Sequence, residues 1–390
     1  MVTNVKQTIA LALLLGMLST DGGQTGAAQG TCASPSFSKP TNFPTGLFAS
    51  GVVLGDFNFD GALDMAVSNQ NANNVSILLG DGRGNFGATM NVPAGGPPQR
   101  IIAADLNGDG ALDLVLPIQA ANAVAILFGD GRGSFGKPVM LPVDGNPFMA
   151  AAADFNADGK LDLAVTITTA GSRKVAVLLG DGAGAFAPPR YFGAFANSPI
   201  ALGVADFNGD GRLDLAVGGG INAPTDENNL SILLGDGQGG FEAPTYYTIG
   251  QAPQSISIAD FNGDGLADIA VSNSLATSGN STVSVLLGTG NGRFTGPTAF
   301  TIGVAGRGTG VADFNLDGKL YLVVANSNSN SVSVLLGDGK GGFAPKTDFA
   351  VGTNPRKLAV ADVNHDGRPD IITPNTGSND VSVLLNTCAP

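Results

Sequence analysis

Aspartate and asparagine side chains recur in this sequence with a spacing that suits metal binding. The string D-x-N-x-D-G occurs seven times, and in six copies another aspartate follows three residues after the glycine. The six intervals between the first and last copies, at Asp56 and Asp362, average 51 residues. A catalytic constellation is harder to assemble, because the chain has one histidine, two cysteines and no tryptophan.

The repeated loop offers the hard oxygen donors that calcium prefers, six to eight of them at about 2.3–2.6 Å. In the fourth copy, Asp206 to Asp214, side-chain oxygens fall at positions 1, 3, 5 and 9, and the Arg212 carbonyl at position 7 can add another. The start matches an EF-hand loop, but position 12 is Val217 rather than glutamate. One copy alone could equally be an Asx-type turn, whereas seven copies of one spacing favour calcium sites.

The predicted ligands are the side chains at positions 1, 3, 5 and 9 of each loop. They are Asp56, Asn58, Asp60 and Asp64; Asp105, Asn107, Asp109 and Asp113; Asp154, Asn156, Asp158 and Asp162; Asp206, Asn208, Asp210 and Asp214; Asp260, Asn262, Asp264 and Asp268; Asp313, Asn315 and Asp317; and Asp362, Asn364, Asp366 and Asp370. The sixth loop has Tyr321 at position 9. A phenol is a poor calcium ligand, so we expect about six Ca²⁺ sites, with the sixth loop weak or empty.

The charge balance is consistent with metal loading. The chain carries 32 acidic and 19 basic residues, for a net charge of −13 and an isoelectric point near 4.3. Such an acidic chain is not expected to bind nucleic acid, because phosphate contacts need basic patches.

The segments between the loops read as short strands. A run of small apolar residues leads into each loop, an L-D-L-A-V type strand follows, and a third strand ends in G-D-G-x-G-x-F before a polar fourth strand. No segment keeps a helical period. Four short strands per unit of about 40–50 residues predict an all-β, seven-bladed β-propeller with the small-residue strand innermost.

The two ends of the chain complement each other. The seventh unit lacks its last strand, and Phe37 to Gly46 resembles Phe343 to Gly352, so the N-terminal strand should pair with the last blade and close the ring. The same alignment brings Cys32 and Cys388 to the missing G-D-G turn, which predicts a disulfide; two unrelated free thiols are the alternative. The expected blades span approximately 47–96, 97–145, 146–196, 197–250, 251–303, 304–352, and 353–388 with 35–46.

Residues 1–30 have the layout of a secretory signal peptide, with cleavage near residue 28. Lys6 precedes the apolar run Thr8 to Leu18, and small residues follow. A buried N-terminal helix is the alternative. The apolar run is about half of the ~20 residues that cross a membrane. We therefore expect residues 31–390 to form a single secreted or periplasmic domain that does not insert into a membrane.

The loops, together with segments such as Phe186 to Pro189 and Phe241 to Pro244, resemble FG-GAP, or VCBS-type, repeats. The resemblance covers residues 35–388. It implies the seven-bladed propeller of integrin α-subunit heads and of many secreted bacterial proteins, with calcium bound by the loop oxygens. None of the other integrin domains is present in the sequence, so integrin signalling is not implied.

The leading functional hypothesis is a monomeric, non-enzymatic adhesion or interaction module that binds a protein or surface polymer. Its candidate surface is the face opposite the calcium loops, where the loops between the second and third strands lie. Those loops include residues 69–74 and 326–330, and longer ones at 218–229 and 273–282. Solvated loops without a role are the alternative for any one of them.

Two other functions remain open. A calcium-dependent lectin would need exposed aromatic side chains, and the candidates are Tyr191, Phe195, Tyr246 and Tyr247. A polysaccharide lyase or hydrolase would need acid–base residues. His365 lies inside the seventh loop, and Glu227 and Glu242 show no partner pattern. No catalytic residue is therefore predicted.

Overall fold

A computed structural model describes residues 32, 34–169, 174–194, 198–219, 229–274 and 281–388 of the chain. The predicted signal peptide and most of the long loops in the fourth and fifth blades lie outside the described residues. The described chain forms 28 strands and one short 3₁₀ helix, Gln119–Ala121. No helix of the described residues is long and apolar enough to span a bilayer.

The strands group into seven blades, numbered here in chain order. Blades one to three are β2 (Ala49–Gly55), β3 (Asp64–Asn69), β4 (Asn74–Leu78) and β5 (Met90–Pro93); β6 (Ile102–Ala104), β7 (Asp113–Ile118), β8 (Ala123–Leu127) and β9 (Val139–Pro142); and β10 (Pro147–Ala153), β11 (Asp162–Ile167), β12 (Lys174–Leu178) and β13 (Arg190–Gly193). Blades four and five are β14 (Pro199–Ala205), β15 (Asp214–Gly219), β16 (Leu230–Leu233) and β17 (Thr245–Tyr247); and β18 (Pro253–Ala259), β19 (Asp268–Asn273), β20 (Thr282–Gly288) and β21 (Phe294–Thr301). Blades six and seven are β22 (Gly306–Ala312), β23 (Tyr321–Asn326), β24 (Ser331–Leu335) and β25 (Thr347–Ala350); and β26 (Ala359–Ala361), β27 (Asp370–Asn375), β28 (Asp380–Leu384) and β1 (Thr41–Pro44).

Each of the first six blades is a four-stranded antiparallel meander in sequence order. The last sheet has the order β1-β28-β27-β26, so the N-terminal strand is the outer strand of the seventh blade. Its register pairs Thr41 with Val383 and Pro44 with Asp380. The predicted all-β, seven-bladed propeller and its closure by the N-terminal strand are both confirmed.

Neighbouring blades pack through the apolar side chains of their second and third strands. Between blades one and two, Ala66 and Ile77 pack with Leu114, Leu116 and Leu127, all fully buried. Equivalent clusters form at the other interfaces around the ring. Burial on both faces explains why these strands are almost continuous runs of valine, leucine and alanine rather than alternating patterns.

Phenylalanine pairs add a second contact between successive blades. The phenylalanine at position 2 of a loop meets the G-x-F phenylalanine of the next blade edge to face, as Phe57 does with Phe135 at 5.5 Å between ring centroids. At the closure, Phe314 of the sixth blade meets Phe37 at the same distance. The N-terminal segment therefore supplies both the missing strand and the missing aromatic contact.

The disulfide lies where the last blade is interrupted. Cys32 and Cys388 are bonded, with their Cα atoms 5.9 Å apart and a sequence separation of 356. The side-chain amide of Asn386 donates to the Phe314 carbonyl oxygen at 2.8 Å. In a complete blade a glycine N–H makes that bond, as Gly133 does to Phe57 at 2.7 Å. The bridged ends thus reproduce the contacts of the missing turn.

Breaking the bridge should loosen the closure without changing the fold. We expect Cys388→Ser to lower the free energy of unfolding by roughly 2–5 kcal/mol, because the unfolded chain regains the entropy that the cross-link removes. Guanidinium denaturation followed by circular dichroism measures this, and reduced wild-type protein is the matched control. Two free thiols in a quantitative thiol assay of the oxidised wild-type protein would contradict the pairing.

Candidate functional site

The seven loops connect the first and second strands of each blade and lie on one face of the ring. The G-D-G turns lie on that face too, because the amide of Gly80 reaches the carboxylate of Asp64 at the end of the first loop. A Cβ atom on Gly80 would collide with the Leu63 carbonyl oxygen, which explains the glycine that opens this turn.

Within a loop, side-chain oxygens accept hydrogen bonds from the loop backbone. In the first loop, Asp56 accepts from the amides of Asp60 at 3.2 Å and Gly61 at 2.9 Å. The Asn58 amide oxygen accepts from Asp60 N at 3.0 Å, while Asn58 Nδ2 donates to Asp60 Oδ2 at 2.8 Å. Gly61 has a φ of +86°, a conformation that favours glycine. Positions 1, 3 and 5 are therefore gathered around one tight turn.

The position-9 aspartate fastens three parts of the blade together. Asp64 is fully buried; its Oδ2 accepts from Phe57 N at 2.9 Å, and its Oδ1 accepts from Gly80 N at 2.8 Å. The same pair of hydrogen bonds recurs in five other blades, where the carboxylates belong to Asp113, Asp162, Asp214, Asp268 and Asp370. These side chains have a structural role that needs no metal ion.

Burial makes these six carboxylates hard to ionise. It raises the pKa of Asp113, Asp162 and Asp214 to about 6 and that of Asp370 to about 7, and it raises the pKa of Asp64 and Asp268 as well. The two backbone N–H groups oppose the shift, and the neighbouring loop carboxylates add to it. A cation bound beside these carboxylates would favour their ionised form and so lower the pKa values again.

The sixth loop is built differently. Tyr321 is buried, and its hydroxyl donates to Asp317 Oδ2 at 3.2 Å. Burial, and then the charge of Asp317, raise the pKa of Tyr321, so the phenol keeps its proton. Asn315 turns its Nδ2 to the Cys32 carbonyl oxygen at 3.0 Å instead of to Asp317. This loop supports the chain terminus rather than offering four oxygens to an ion.

No set of three or more acidic, histidine or cysteine side chains among the described residues is arranged to hold a metal ion. The donor chemistry of the loops nevertheless fits calcium, since carboxylate and amide oxygens are the available ligands in each. His365 lies at position 4 of the seventh loop, with a φ of +59°. Glu242 donates its backbone N–H to Leu234 O, whereas Glu227 lies outside the described residues.

On the opposite face, asparagines expected to be available for binding are partly structural. Asn69 is buried, and its Nδ2 donates to Asn74 Oδ1 and Ser76 Oγ, both at 2.8 Å. Asn326 is buried in the same way, with Ser331 and Ser333 as acceptors. These amides fix the loops between the second and third strands, which leaves the tips of the loops exposed.

Two of the candidate sugar-binding tyrosines are also engaged. The Tyr191 hydroxyl accepts from Asp144 N at 2.6 Å, and Lys174 Nζ lies 4.0 Å from the centre of its ring. The Tyr247 hydroxyl accepts from Phe294 N at 3.1 Å. Tyr246 is half-buried, and Phe195 lies outside the described residues.

Sequence reasoning missed a group of basic residues at the ring axis. Arg100, Arg307, Arg356 and Lys357 stand at the starts of inner strands, five or six residues before the first loop aspartate of their blades. The available signal was a basic residue in a segment where small apolar residues prevail.

Comparisons with known proteins agree with this architecture. The sequence profile of the FG-GAP-like repeat matches residues 56–116, 165–217, 221–271 and 313–373. A search of curated proteins gave no match.

Among solved structures, BBS1N in complex with ARL6DN superposes with a TM-score of 0.62 at 13% identity, covering 92% of this chain and 98% of that one. An Agrocybe aegerita lectin that recognises non-reducing terminal N-acetylglucosamine gives 0.55 at 20% identity, over 85% and 86%. A putative 6-phosphogluconolactonase from Bacteroides uniformis gives 0.57 at 14% identity, over 78% and 85%. At these identities the likeness concerns the fold.

Two substitutions in the third loop should separate the structural role of the position-9 carboxylate from the role in ion binding that the loop carboxylates share. Asp162→Ala leaves the amides of Phe155 and Gly180 without their acceptor, so we expect a stability loss of about 2–5 kcal/mol with or without calcium. Asp158→Asn, on an exposed side chain, should cost little in chelator and should reduce stability only when calcium is present. Denaturation in chelator and in calcium measures both, and equal losses for the two variants in chelator would contradict the division.

Proposed function

Because this chain belongs to the FG-GAP-like repeat family, we propose that it is an exported, calcium-binding β-propeller that acts as a non-enzymatic interaction module for a protein or surface polymer. The proposal has three parts: calcium binding, location and partner binding. Each depends on a different set of residues.

Calcium binding is supported by the donor set of six loops. Each combines carboxylates at positions 1, 5 and 9 with an amide at position 3, and hard oxygens of this kind suit Ca²⁺. When bound, the ion would neutralise carboxylates that otherwise repel one another across a short turn. Rigid loops on one face would then hold the inner strands of the blades in fixed positions.

An extracytoplasmic location is supported by the disulfide. Structural disulfides persist in oxidising compartments and are rare where glutathione and thioredoxin keep thiols reduced. The Cys32–Cys388 bridge joins the two ends of the described chain, and Cys388 is buried. The signal-like segment at residues 1–30 is consistent with this location.

The observation that supports the interaction role is a set of exposed apolar side chains on the outer strands of three consecutive blades. Met90, Val139, Met140 and Tyr191 lie on the outer strands of blades one, two and three, each 37–43% exposed. A group of exposed apolar side chains is typical of a surface that binds a partner, whereas a single one is ordinary. We name these four residues the outer apolar surface, and we propose that a partner binds there as well as on the face opposite the loops.

The lectin alternative is supported by the similarity in fold to the Agrocybe aegerita lectin. It is weakened by the candidate tyrosines, because the hydroxyls of two of them already accept hydrogen bonds from backbone N–H groups.

The enzyme alternative lacks an acid–base pair among the described residues that is free of a structural role. The loop carboxylates that could act in catalysis are held by backbone amides instead. Interaction therefore explains the side-chain arrangement better than catalysis does.

Calcium calorimetry tests the first part. We expect about six binding events on the chelator-stripped protein, since six loops have a carboxylate at position 9 and the sixth has a phenol. Asp158→Asn should weaken the third site by removing one anionic ligand, whereas Asp317→Asn should leave the stoichiometry unchanged. Two or fewer events for the wild-type protein would contradict the calcium assignment.

Binding arrays test the interaction role. Calcium-loaded protein would be applied to a glycan array and to an array of extracellular protein domains, with a repeat in chelator. We expect saturable binding to protein or polymer that Met140→Glu reduces and Thr298→Glu, an exposed control on the outer strand of blade five, does not. Calcium-dependent binding to one defined glycan, unchanged by Met140→Glu, would favour the lectin instead.

A further inference from the structure

Four basic side chains gather where the inner strands of the propeller begin. Arg100 belongs to blade two, Arg307 to blade six, and Arg356 and Lys357 to blade seven, so they occupy a continuous arc through blade one. In a chain with a net charge of −13, this is a local reversal of sign.

Arg100 is buried without a counter-ion. It is 5% exposed, its Nη1 donates to the Ser50 carbonyl oxygen at 2.9 Å, and its guanidinium lies 5.2 Å from the centre of the Phe148 ring. Its Nε has no hydrogen-bond partner. A buried guanidinium with an unused donor is costly unless an anion or water completes it.

The other three basic groups have partial, uncharged partners. Arg307 donates to Gln254 Oε1 at 2.6 Å, and Lys357 Nζ donates to Ser255 Oγ at 3.2 Å. The Arg356 guanidinium lies 5.2 Å from the centre of the Phe48 ring. The Nε atoms of Arg307 and Arg356 are also unpartnered, and no ion pair found among the described residues involves any of the four.

Two of these four groups line an axial cavity. The cavity has a volume of about 460 Å³ and is lined by the inner strands of all seven blades, with Arg100 and Lys357 in its wall and no acidic side chain. Arg307 and Arg356 lie one residue further from the first loop aspartate of their blades than Arg100 and Lys357 do. The volume lies in the range of small-molecule sites, about 300–1,000 Å³.

The basic groups oppose one another's ionisation. Burial, and then the charges of Arg356 and Arg307, lower the pKa of Arg100 to about 9. Burial, followed by the charge of Arg100, lowers the pKa of Lys357 to about 7. A bound anion would offset this repulsion.

We propose that the axial cavity binds a small organic oxyanion, a carboxylate or a phosphate ester, through Arg100 and Lys357 in its wall, with the positive charges of Arg307 and Arg356 beside them. Guanidinium groups match the geometry of such anions and make stronger, charge-assisted hydrogen bonds with them than with neutral acceptors. The apolar wall below the cluster, formed by residues such as Ile102 and Val311, would take the uncharged part of the ligand. This site is separate from the outer apolar surface and does not depend on partner binding there.

Calorimetry with three probes of similar size tests the site on the oxidised, calcium-loaded protein. The probes are glucuronate for a carboxylate, glucose 6-phosphate for a phosphate ester, and glucose as the neutral control. We expect saturable binding of at least one anion and none of glucose. The anion that binds identifies the class of ligand.

Matched variants link binding to the cluster. We expect Arg307→Gln and Lys357→Met each to weaken binding by about 10-fold or more, since each removes one positive charge from the cluster. Arg132→Gln, an exposed arginine in a G-D-G turn on the calcium-loop face, should leave binding unchanged. Thermal melting confirms that each variant is folded, and Arg356→Gln replaces Lys357→Met if that variant does not fold.

Two results would overturn the proposal. One is that neither anion binds at concentrations up to about 10 mM, at which a site with a millimolar dissociation constant would be largely occupied. The other is anion binding that Arg307→Gln and Lys357→Met leave unchanged. Either result would leave the calcium stoichiometry and the Met140→Glu comparison unaffected, so failure here is distinguishable from failure of the interaction role.

Discussion

The structure depends on a buried carboxylate that bonds to two backbone amides in six of the seven blades. Asp64 shows the arrangement: one oxygen holds the start of the calcium-type loop and the other holds the G-D-G turn. Burying a carboxylate costs free energy unless the carboxylate is hydrogen-bonded. Its hydrogen bonds are charge-assisted and therefore strong, and together they fix the relative positions of three chain segments. In these six blades the carboxylate therefore joins the calcium-type loop to the segment that follows the third strand.

The sixth blade shows what replaces the carboxylate when it is absent. Tyr321 fills the buried position and donates to Asp317, and Asn315 and the Phe314 carbonyl are then used by the terminal segments that carry Cys32 and Asn386. The blade that departs from the repeat is therefore the one against which the ring closes. The loop that lacks the position-9 aspartate is the loop that both ends of the chain contact.

The sequence was sufficient to predict the fold because the same unit is written seven times, and the pairing of its incomplete ends follows from alignment alone. The site was less accessible. Spacing identifies the loop aspartates, but it cannot show that Asp64 is turned inward to two amides or that Asn69 is buried against Ser76. The orientation and burial of these side chains depend on how the neighbouring strands pack around them. The axial cluster escaped notice because its members come from three different repeat units and occupy two neighbouring positions of the repeat.

The two faces of the propeller carry opposite charge, and the distance between them explains why neither neutralises the other. Arg100 and Asp105 flank the inner strand of blade two and are five residues apart, roughly 16 Å at the rise of an extended chain. That separation is far beyond ion-pair distance and exceeds the screening length of about 8 Å in physiological salt. A rigid strand therefore keeps the acidic loops and the basic cluster apart. Some loop aspartates pair with a neighbouring basic side chain, as Asp210 does with Arg212 at 3.9 Å, whereas the basic cluster has no ion pair among the described residues. In a ring of seven such strands, this arrangement favours cations on one face and anions at the axis of the other.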